Sequence, residues 1–508
     1  MKKRILFFLL IITGAGYAQL TEIQIDQVIE KAMTTFQVPG VAIAIVYNNE
    51  VVLTKGYGVR SVLTQEKVNE QTLFGIASNS KAFTATALAM LADEKKLQWD
   101  DKVIQHIPEF KMYNDYVTKQ FTIADLLCHR SGLGMGAGDL MVWPEKNTFT
   151  TQEIINNLQY LKPVSDFRTK YDYNNLLYVV AGEVIHRVSG VSWEDFIEQR
   201  ILKPLQMNAS RATFNRLQDI SNVAVPHVPI QGRLKVVERY TEQPFNAAAG
   251  IYANAEELTK WMMLQLNKGK MISGESLFSE KEHQTMWASH TILPARSITP
   301  YTSNFRTYGL GWLLTDVNGV LQVSHTGGLE GMVTQVVLFP SKKLGIAVLT
   351  NQQSGAAFTT ITNAIKDSYL GIPYFDHIDY YYQKQLKDLG EIIKIEKQVW
   401  SKVAQNNKEK LKTVSLIGTY ADSWFGNVVI TQKKDKLYFA SQRSPKISGE
   451  LLYYEKDTYI VQLNDREMEA DAFIYFTPDY SQFTMKAVSP ITDFSYDYHD
   501  LYFVKQGD

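Results

Sequence analysis

Cysteine is almost absent: Cys128 is the only one in 508 residues, so no internal disulfide can form. Zinc sites built on paired cysteines are excluded with it, no His-Glu-x-x-His occurs, and the nine histidines are scattered. No metal and no cofactor is expected. Gly-x-Ser-x-Gly is missing too, which argues against an α/β-hydrolase nucleophile elbow. Neither sign of charge dominates, with 52 Lys and Arg against 53 Asp and Glu. That balance recruits neither nucleic acid nor an anionic membrane surface. There is no internal repeat and no low-complexity segment, and the apolar run at the N-terminus is too short to span a bilayer as a permanent helix.

What is present is the composition of a globular protein, 45% apolar and 21% charged, in a chain long enough for two or three domains. Its first residues stand apart. Lys2, Lys3 and Arg4 precede the apolar run "ILFFLLII", and small residues in "TGAGYAQ" follow, the three-part form of a secretory signal peptide cleaved near Ala18. Removing residues 1–18 leaves 49 positive against 53 negative side chains, a net charge of −4. A periplasmic or secreted protein is expected. No cysteine follows the cleavage point to carry a lipid, and no integral membrane segment remains.

Two β-rich apolar runs flank a polar turn at Asn48-Asn49-Glu50 within residues 38–59, and two more flank Pro340-Ser341-Lys342 within 334–351. Between these hairpins the apolar spacing is mostly helical, as in "SKAFTATALAMLADEKKL", "YNNLLYVVAGEVIHRVSG" and "EELTKWMMLQLNKG". A sheet closed by its N- and C-terminal segments around a helical insertion follows, of α/β (α+β) class. Residues 371–414 read as a charged helical linker. From Ser415 to residue 508, short strands with frequent turns predict a small antiparallel barrel or sandwich.

The stretch "FGIASNSKAFTATALAML" holds two serines before Lys81. Ser78 and Lys81 are three apart and share a helix face, whereas Ser80 and Lys81 are consecutive and diverge. If a serine uses Lys81 as its base, geometry selects Ser78. A serine hydroxyl needs such a base at neutral pH, and a lysine serves when burial lowers its pKa. The apolar surround of Phe74, Ile76, Ala82, Phe83 and Ala85 should bury it.

Tyr-Asn-Asn occurs twice. Tyr47-Asn48-Asn49 sits at the first hairpin turn, where asparagines suit left-handed backbone, and is assigned a structural role. Tyr173-Asn174-Asn175 opens a helix about a hundred residues after the serine. There Tyr173 suits a proton-transfer partner, and Asn175 suits holding a substrate carbonyl or orienting Lys81. The phrase "HTGG" places His325, Thr326, Gly327 and Gly328 ahead of the second hairpin. The Gly328 and Ser78 amides form the candidate oxyanion hole, because acyl transfer needs N–H donors aimed at the developing charge. His325 at the rim suits a carboxylate or the polarisation of Tyr173.

Ser-x-x-Lys, Tyr-x-Asn and His-x-Gly in this order resemble the penicillin-binding-protein-like serine hydrolases, the group of class C β-lactamases, D-aminopeptidases and related esterases. "TIADLLCHRSGL", "ILKPLQMNAS" and "YGLGW" are similar to the family's connecting segments, and the resemblance runs from Ile25 to Leu370. The tail resembles the lipocalin-like domain attached to some peptidase members. The resemblance implies a β-lactamase-like/transpeptidase fold over residues 19–370: an antiparallel sheet flanked by helices, a helical subdomain, and the site between. It implies Ser78 as nucleophile, Lys81 and Tyr173 as acid–base groups, Asn175 as a binding or orienting group, and His325, Gly327 and Gly328 along the strand. The family's β-lactamases usually carry lysine where His325 stands, so a hydrolase of small peptides, including those with D-residues, is expected before a β-lactamase. An esterase of the same fold is second, and a ligand sensor that hydrolyses nothing is third. The C-terminal domain is expected to cover the site, bind a second ligand, or drive oligomerisation.

Overall fold

The computed structural model describes residues 19–230, 232–241, 243–406 and 414–507. The expected signal peptide, residues 1–18, lies outside the described residues, as do residues 407–413 of the expected linker.

Helix α1 (Glu22–Phe36) begins at a capping box between Thr21 and Gln24, which satisfies two orphan donors of the first turn. Strands β1 (Gly40–Tyr47) and β2 (Glu50–Gly58) follow. They are joined through Asn48 and Asn49, both at positive φ, as a tight hairpin requires. Helix α2 (Ser80–Asp93) is next, then α3 (Leu176–Ser189) and α4 (Ala255–Leu266). The sheet resumes with β3 (Thr291–Leu293), β4 (Arg306–Tyr308), β5 (Leu313–Val317), β6 (Val320–Leu329), β7 (Met332–Phe339) and β8 (Leu344–Thr350). Helix α5 (Gly355–Leu370) closes this part of the chain.

The eight strands form one antiparallel sheet in the order β2-β1-β8-β7-β6-β5-β4-β3. The N-terminal hairpin and the last strand are therefore neighbours, as the split hairpins in the sequence imply. Both faces are covered, and the period of two sorts the residues. Val41, Ile43 and Ile45 of β1 pack with Ile346 and Val348 of β8 against Ile25, Ile29 and Phe36 of α1 and Ile361 and Ile365 of α5. Ala42, Ala44 and Val46 face the other way, with Ala347 and Leu349, toward Leu258 and Met262 of α4 and Leu88 of α2. Small residues on that face let the helices approach closely. Every residue of α2 from Ser80 to Leu91 is buried, so this helix is the centre of the molecule rather than an amphipathic cover.

Helix α6 (His377–Asn406) leads to the C-terminal part. Its first turn buries His377 and Ile378, and its last turns set Val399 and Val403 against Leu452, Ile460 and Val488. Eight further strands close into a barrel in sequence order: β9 (Gly418–Asp422), β10 (Gly426–Lys433), β11 (Lys436–Ser441), β12 (Ser448–Glu455), β13 (Thr458–Leu463), β14 (Ala472–Phe476), β15 (Gln482–Ala487) and β16 (Tyr502–Lys505). Closure removes both sheet edges, and the barrel alternative, not the sandwich, is the fold. Tyr420, Phe439, Tyr459, Phe476, Phe483 and Phe503 are buried and pack ring on ring, so side chains fill this part of the barrel. Among the described residues no helix is long and apolar enough to cross a membrane.

Candidate active site

Ser78 lies in a 3₁₀ turn, Ala77–Asn79, that feeds directly into α2. Residues three apart share a face across the junction of the turn and α2, which sets the Lys81 side chain beside Ser78. Lys81 Nζ is 3.1 Å from Ser78 Oγ. Ser80 is engaged elsewhere, its hydroxyl accepting from the Ile251 amide at 3.1 Å in the buried core. Of the two serines, the lysine faces Ser78.

The turn itself is strained. Ala77 has φ +48°, a conformation that costs a side-chain-bearing residue about 1 kcal/mol or more. Its surroundings hold it: the Ile76 amide donates to Ile251 O, and the Ile76 carbonyl accepts from the Thr334 hydroxyl at 3.0 Å and the Asn79 amide at 3.1 Å. Strand β6 packs beside this turn. β5 pairs with β6 only as far as Ser324, so from His325 onward that edge of β6 carries no β5 partner. Gly327 is there for space, since a Cβ would lie 2.1 Å from the Ile76 carbonyl oxygen. Gly328 is exposed, and a Cβ there would meet only Val333.

Lys81 is fully buried, and burial pulls its pKa from the usual lysine range down to about 7, with the Asp139 carboxylate opposing the drop. Its ammonium donates to Asn175 Oδ1 at 2.8 Å and to the Ala248 carbonyl at 3.1 Å, and it lies 4.9 Å from the Tyr173 ring centre. Tyr173 sits at the N-terminal approach to α3. Burial pushes its hydroxyl well above the ordinary tyrosine range, and the Ser78 side chain pulls it partly back. The second Tyr-Asn-Asn divides its work. Asn174, one residue before the N-cap of α3, bonds its first turn, its Oδ1 accepting from the Leu177 amide at 3.1 Å, while the N-cap residue Asn175 turns its side chain into the site.

His325 is buried with both ring nitrogens engaged: Nδ1 donates to the Thr326 carbonyl at 2.6 Å and Nε2 accepts from the Tyr308 hydroxyl at 2.8 Å. Burial lowers its pKa to about 3, with Lys81 adding to the drop, so the ring is neutral. Its ring centre is 6.4 Å from that of Tyr173. The rim position expected for a carboxylate ligand or for polarising Tyr173 is not where it stands, because Tyr308 of "YGLGW" ties it inward.

Several neighbours carried no signal in the sequence. Asn175 Nδ2 donates to Asp139 Oδ2 at 2.7 Å, and Asp139 is fully buried. Burial raises the Asp139 carboxyl to about 7, while hydrogen bonds from Asn175 and Ser495 hold it down. His129 of "TIADLLCHRSGL" lies between the rings of Tyr173 and Tyr308, at 4.3 and 4.6 Å, and accepts from the Asn174 amide. Burial holds it neutral. The barrel loop between β15 and β16 reaches this site, with the Phe494 ring edge-on to Tyr173 at 5.8 Å. The scattered histidines do yield one group with metal-ligand spacing among the described residues, Asp497, His499 and Asp500. The nearby Lys162 cation acts on Asp500 and competes for the same charge.

A buried amine of lowered pKa against a serine, beside an open strand edge, is equipped to activate a hydroxyl for acyl transfer. The sequence model of the β-lactamase family matches residues 25–369, all but the outermost residues of the sheet-and-helix part. The chain belongs to the β-lactamase family. Residues 402–505 match a second family, described as a domain of unknown function (DUF3471). Protein flp of Staphylococcus aureus (strain MW2) is 31% identical over 335 residues, 65% of this chain and 63% of that protein. The chain thus spans less than two thirds of the length of this curated relative. The "Unguisins hydrolase ungD'" of Aspergillus campestris is 27% identical over 403 residues, 74% of this chain and 70% of that protein.

Among solved structures, an octameric penicillin-binding protein homologue from Pyrococcus abyssi matches 96% of this chain and 100% of its own, with TM-score 0.61 and 22% identity. A class C β-lactamase matches 68% of this chain and 95% of its own, with TM-score 0.56 and 22% identity. These likenesses establish the β-lactamase-like fold with an additional C-terminal barrel. Members of the β-lactamase-fold family are generally serine hydrolases.

Proposed function

We propose that the chain is an exported serine hydrolase that works through an acyl-enzyme on Ser78. The observation that carries the reading is Lys81: fully buried, 3.1 Å from Ser78 Oγ, with its pKa drawn down to about 7. Roughly half of such amines are unprotonated at neutral pH. Lys81 then takes the Ser78 proton as Oγ attacks the substrate carbonyl. The Ser78 and Gly328 amides hold the oxyanion. Tyr173, whose hydroxyl stays protonated across the physiological range, donates and relays the proton to the leaving group. Asn175 fixes the lysine, and water hydrolyses the ester.

The substrate class is a small peptide, including peptides with D-residues, ahead of a simple ester. Two observations support it. The neutral His325 supplies no permanent cation for an antibiotic's carboxylate, and the barrel loop sets Phe494 edge-on to Tyr173 beside the site. The hydrolase named for the Aspergillus relative supports turnover over mere capture. Export to the periplasm or medium belongs to the same reading. So does self-association through the C-terminal part, since the Pyrococcus abyssi homologue is octameric and α6 carries an exposed stripe of Tyr382, Leu386, Leu389 and Ile393.

The test is a fluorophosphonate probe on the full chain, with the adduct located by peptide mass spectrometry. The adduct is expected on Ser78, lost in Ser78→Ala and retained in Ser80→Ala. An adduct on Ser80, or none at all, would overturn the reading. Turnover of the acylated enzyme by water then separates a hydrolase from a sensor.

A further inference from the structure

Ser495 lies in the barrel loop between β15 and β16, yet its hydroxyl donates to Asp139 Oδ2 at 2.8 Å. The same oxygen accepts from Asn175 Nδ2 at 2.7 Å, and Asn175 Oδ1 accepts from Lys81 Nζ at 2.8 Å. An unbroken chain of hydrogen bonds thus runs from the barrel to the amine beside Ser78. All four residues are buried, Asp139 and Lys81 completely.

The loop is held against the site through the backbone of Gly136 and Gly138. The Gly138 amide donates to Asp497 Oδ2 at 2.6 Å, and Gly136 lets the Phe494 carbonyl pass where a Cβ would lie 2.6 Å away. Gly136 also has φ +71°, so the position favours glycine twice over. On the other side, the Gly136 amide donates to the Tyr173 carbonyl at 2.8 Å. The segment carrying Asp139 is therefore clamped between the start of α3 and the barrel.

We propose that Ser495 and Asp139 are positioning residues of the active site, and that the barrel sets the acid–base behaviour of Lys81 through them. The inference rests on the reading of Lys81 as the base. Ser495 stabilises the Asp139 carboxylate, the carboxylate fixes the amide of Asn175, and Asn175 presents its oxygen to Lys81. Asp139 is faced by Lys81 and Tyr173 within the hydrolase part and by Asp493 and Asp497 from the barrel loop. Lys81 is faced by Asp139, His129, His325, Tyr173 and Tyr178. Asp139 is the one anionic group near the lysine in that set, and only it opposes the fall in the lysine's pKa. Removing the Ser495 hydroxyl leaves Asp139 ionised less readily, so the amine becomes free at lower pH.

The experiment follows the rate of fluorophosphonate acylation of Ser78 against pH in the full chain, wild type and Ser495→Ala. The acid limb is expected to move down by about half to one pH unit in Ser495→Ala and further in Asp139→Asn, on the scale of one charge-assisted hydrogen bond. Ser495→Thr, which keeps the hydroxyl, should restore the wild-type limb. Arg443→Ala, which breaks the barrel's pairing with Glu153 away from the site, should lower stability without moving the limb. An acid limb in Ser495→Ala that coincides with wild type, or moves only as far as that of Arg443→Ala, overturns the proposal. Should Ser495→Ala fold poorly, Ser495→Cys, whose thiol is a weaker donor to Asp139, carries the same test, and an unmoved limb there overturns the proposal. Labelling at Ser78 with an unmoved limb refutes this inference alone, whereas no labelling in wild type refutes the function on which it rests.

Discussion

Lys81→Met replaces the buried amine by an apolar chain of similar length, and its effect on stability should depend steeply on pH. The folded pKa of Lys81 is about 7, against 10.5 when solvated. The unfolded chain therefore binds more protons than the folded one between those values, and stability rises with pH across that window. Linkage puts the cost of keeping this group folded at about 5 kcal/mol at pH 6 and about 2 kcal/mol at pH 9. Methionine removes that dependence, but leaves Asn175 Oδ1 and the Ala248 carbonyl without their donor, each costing about 1–3 kcal/mol. Asp139, deprived of the neighbouring charge, would titrate higher still, which lowers the variant's stability as pH rises. Both effects have the same sign. Relative to wild type, Lys81→Met should gain about 2–3 kcal/mol between pH 9 and pH 6, read from urea midpoints of the full chain, while losing Ser78 acylation. A difference between the two proteins that stays constant within about 0.5 kcal/mol across this range would show that Lys81 is not titrating low, and the base assignment would go with it.

Three further outcomes rest on the same geometry. Gly327→Ala places a methyl 2.1 Å from the Ile76 carbonyl, so the strained turn before Ser78 must move; acylation should fall by at least tenfold while unfolding shifts by only about 1–3 kcal/mol. Acylation equal to wild type in that variant would mean the turn is not held by β6. The acylation rate of the wild type should rise with pH through about 7 and stay level toward pH 10, because Tyr173 titrates well above its ordinary value. Tyr173→Phe should lower the plateau by roughly 10²-fold and keep the inflection, and an inflection that moves with Tyr173 would assign the titration to the wrong residue.

What the sequence determined was whatever has a short period. The three-residue step from Ser78 to Lys81, the alternation of the sheet strands, the Asn48-Asn49 turn and the meander of the barrel are all fixed by local geometry. The order of the hairpins also foretold that the first and last strands of the sheet lie side by side. Local pattern could also frame the choice between Ser78 and Ser80, because only one of them shares a face with the lysine. It could not tell which asparagine of Tyr173-Asn174-Asn175 enters the site, since both suit a helix start; the capping geometry at Leu177 takes Asn174 and frees Asn175.

The remainder was decided by tertiary structure. His325 reads as a rim residue until Tyr308, brought beside it across the sheet, takes its Nε2. Asp139 is one acid among 53 Asp and Glu, and nothing around it in sequence marks it; burial beside Asn175 gives it a raised pKa and a partner. Ser495 lies 356 residues further along the chain, on another fold unit, and the contact exists only because the barrel docks there. Desolvation is a property of the packed assembly. The side chains that can carry a perturbed charge are visible in the sequence, but the folded protein decides which of them does.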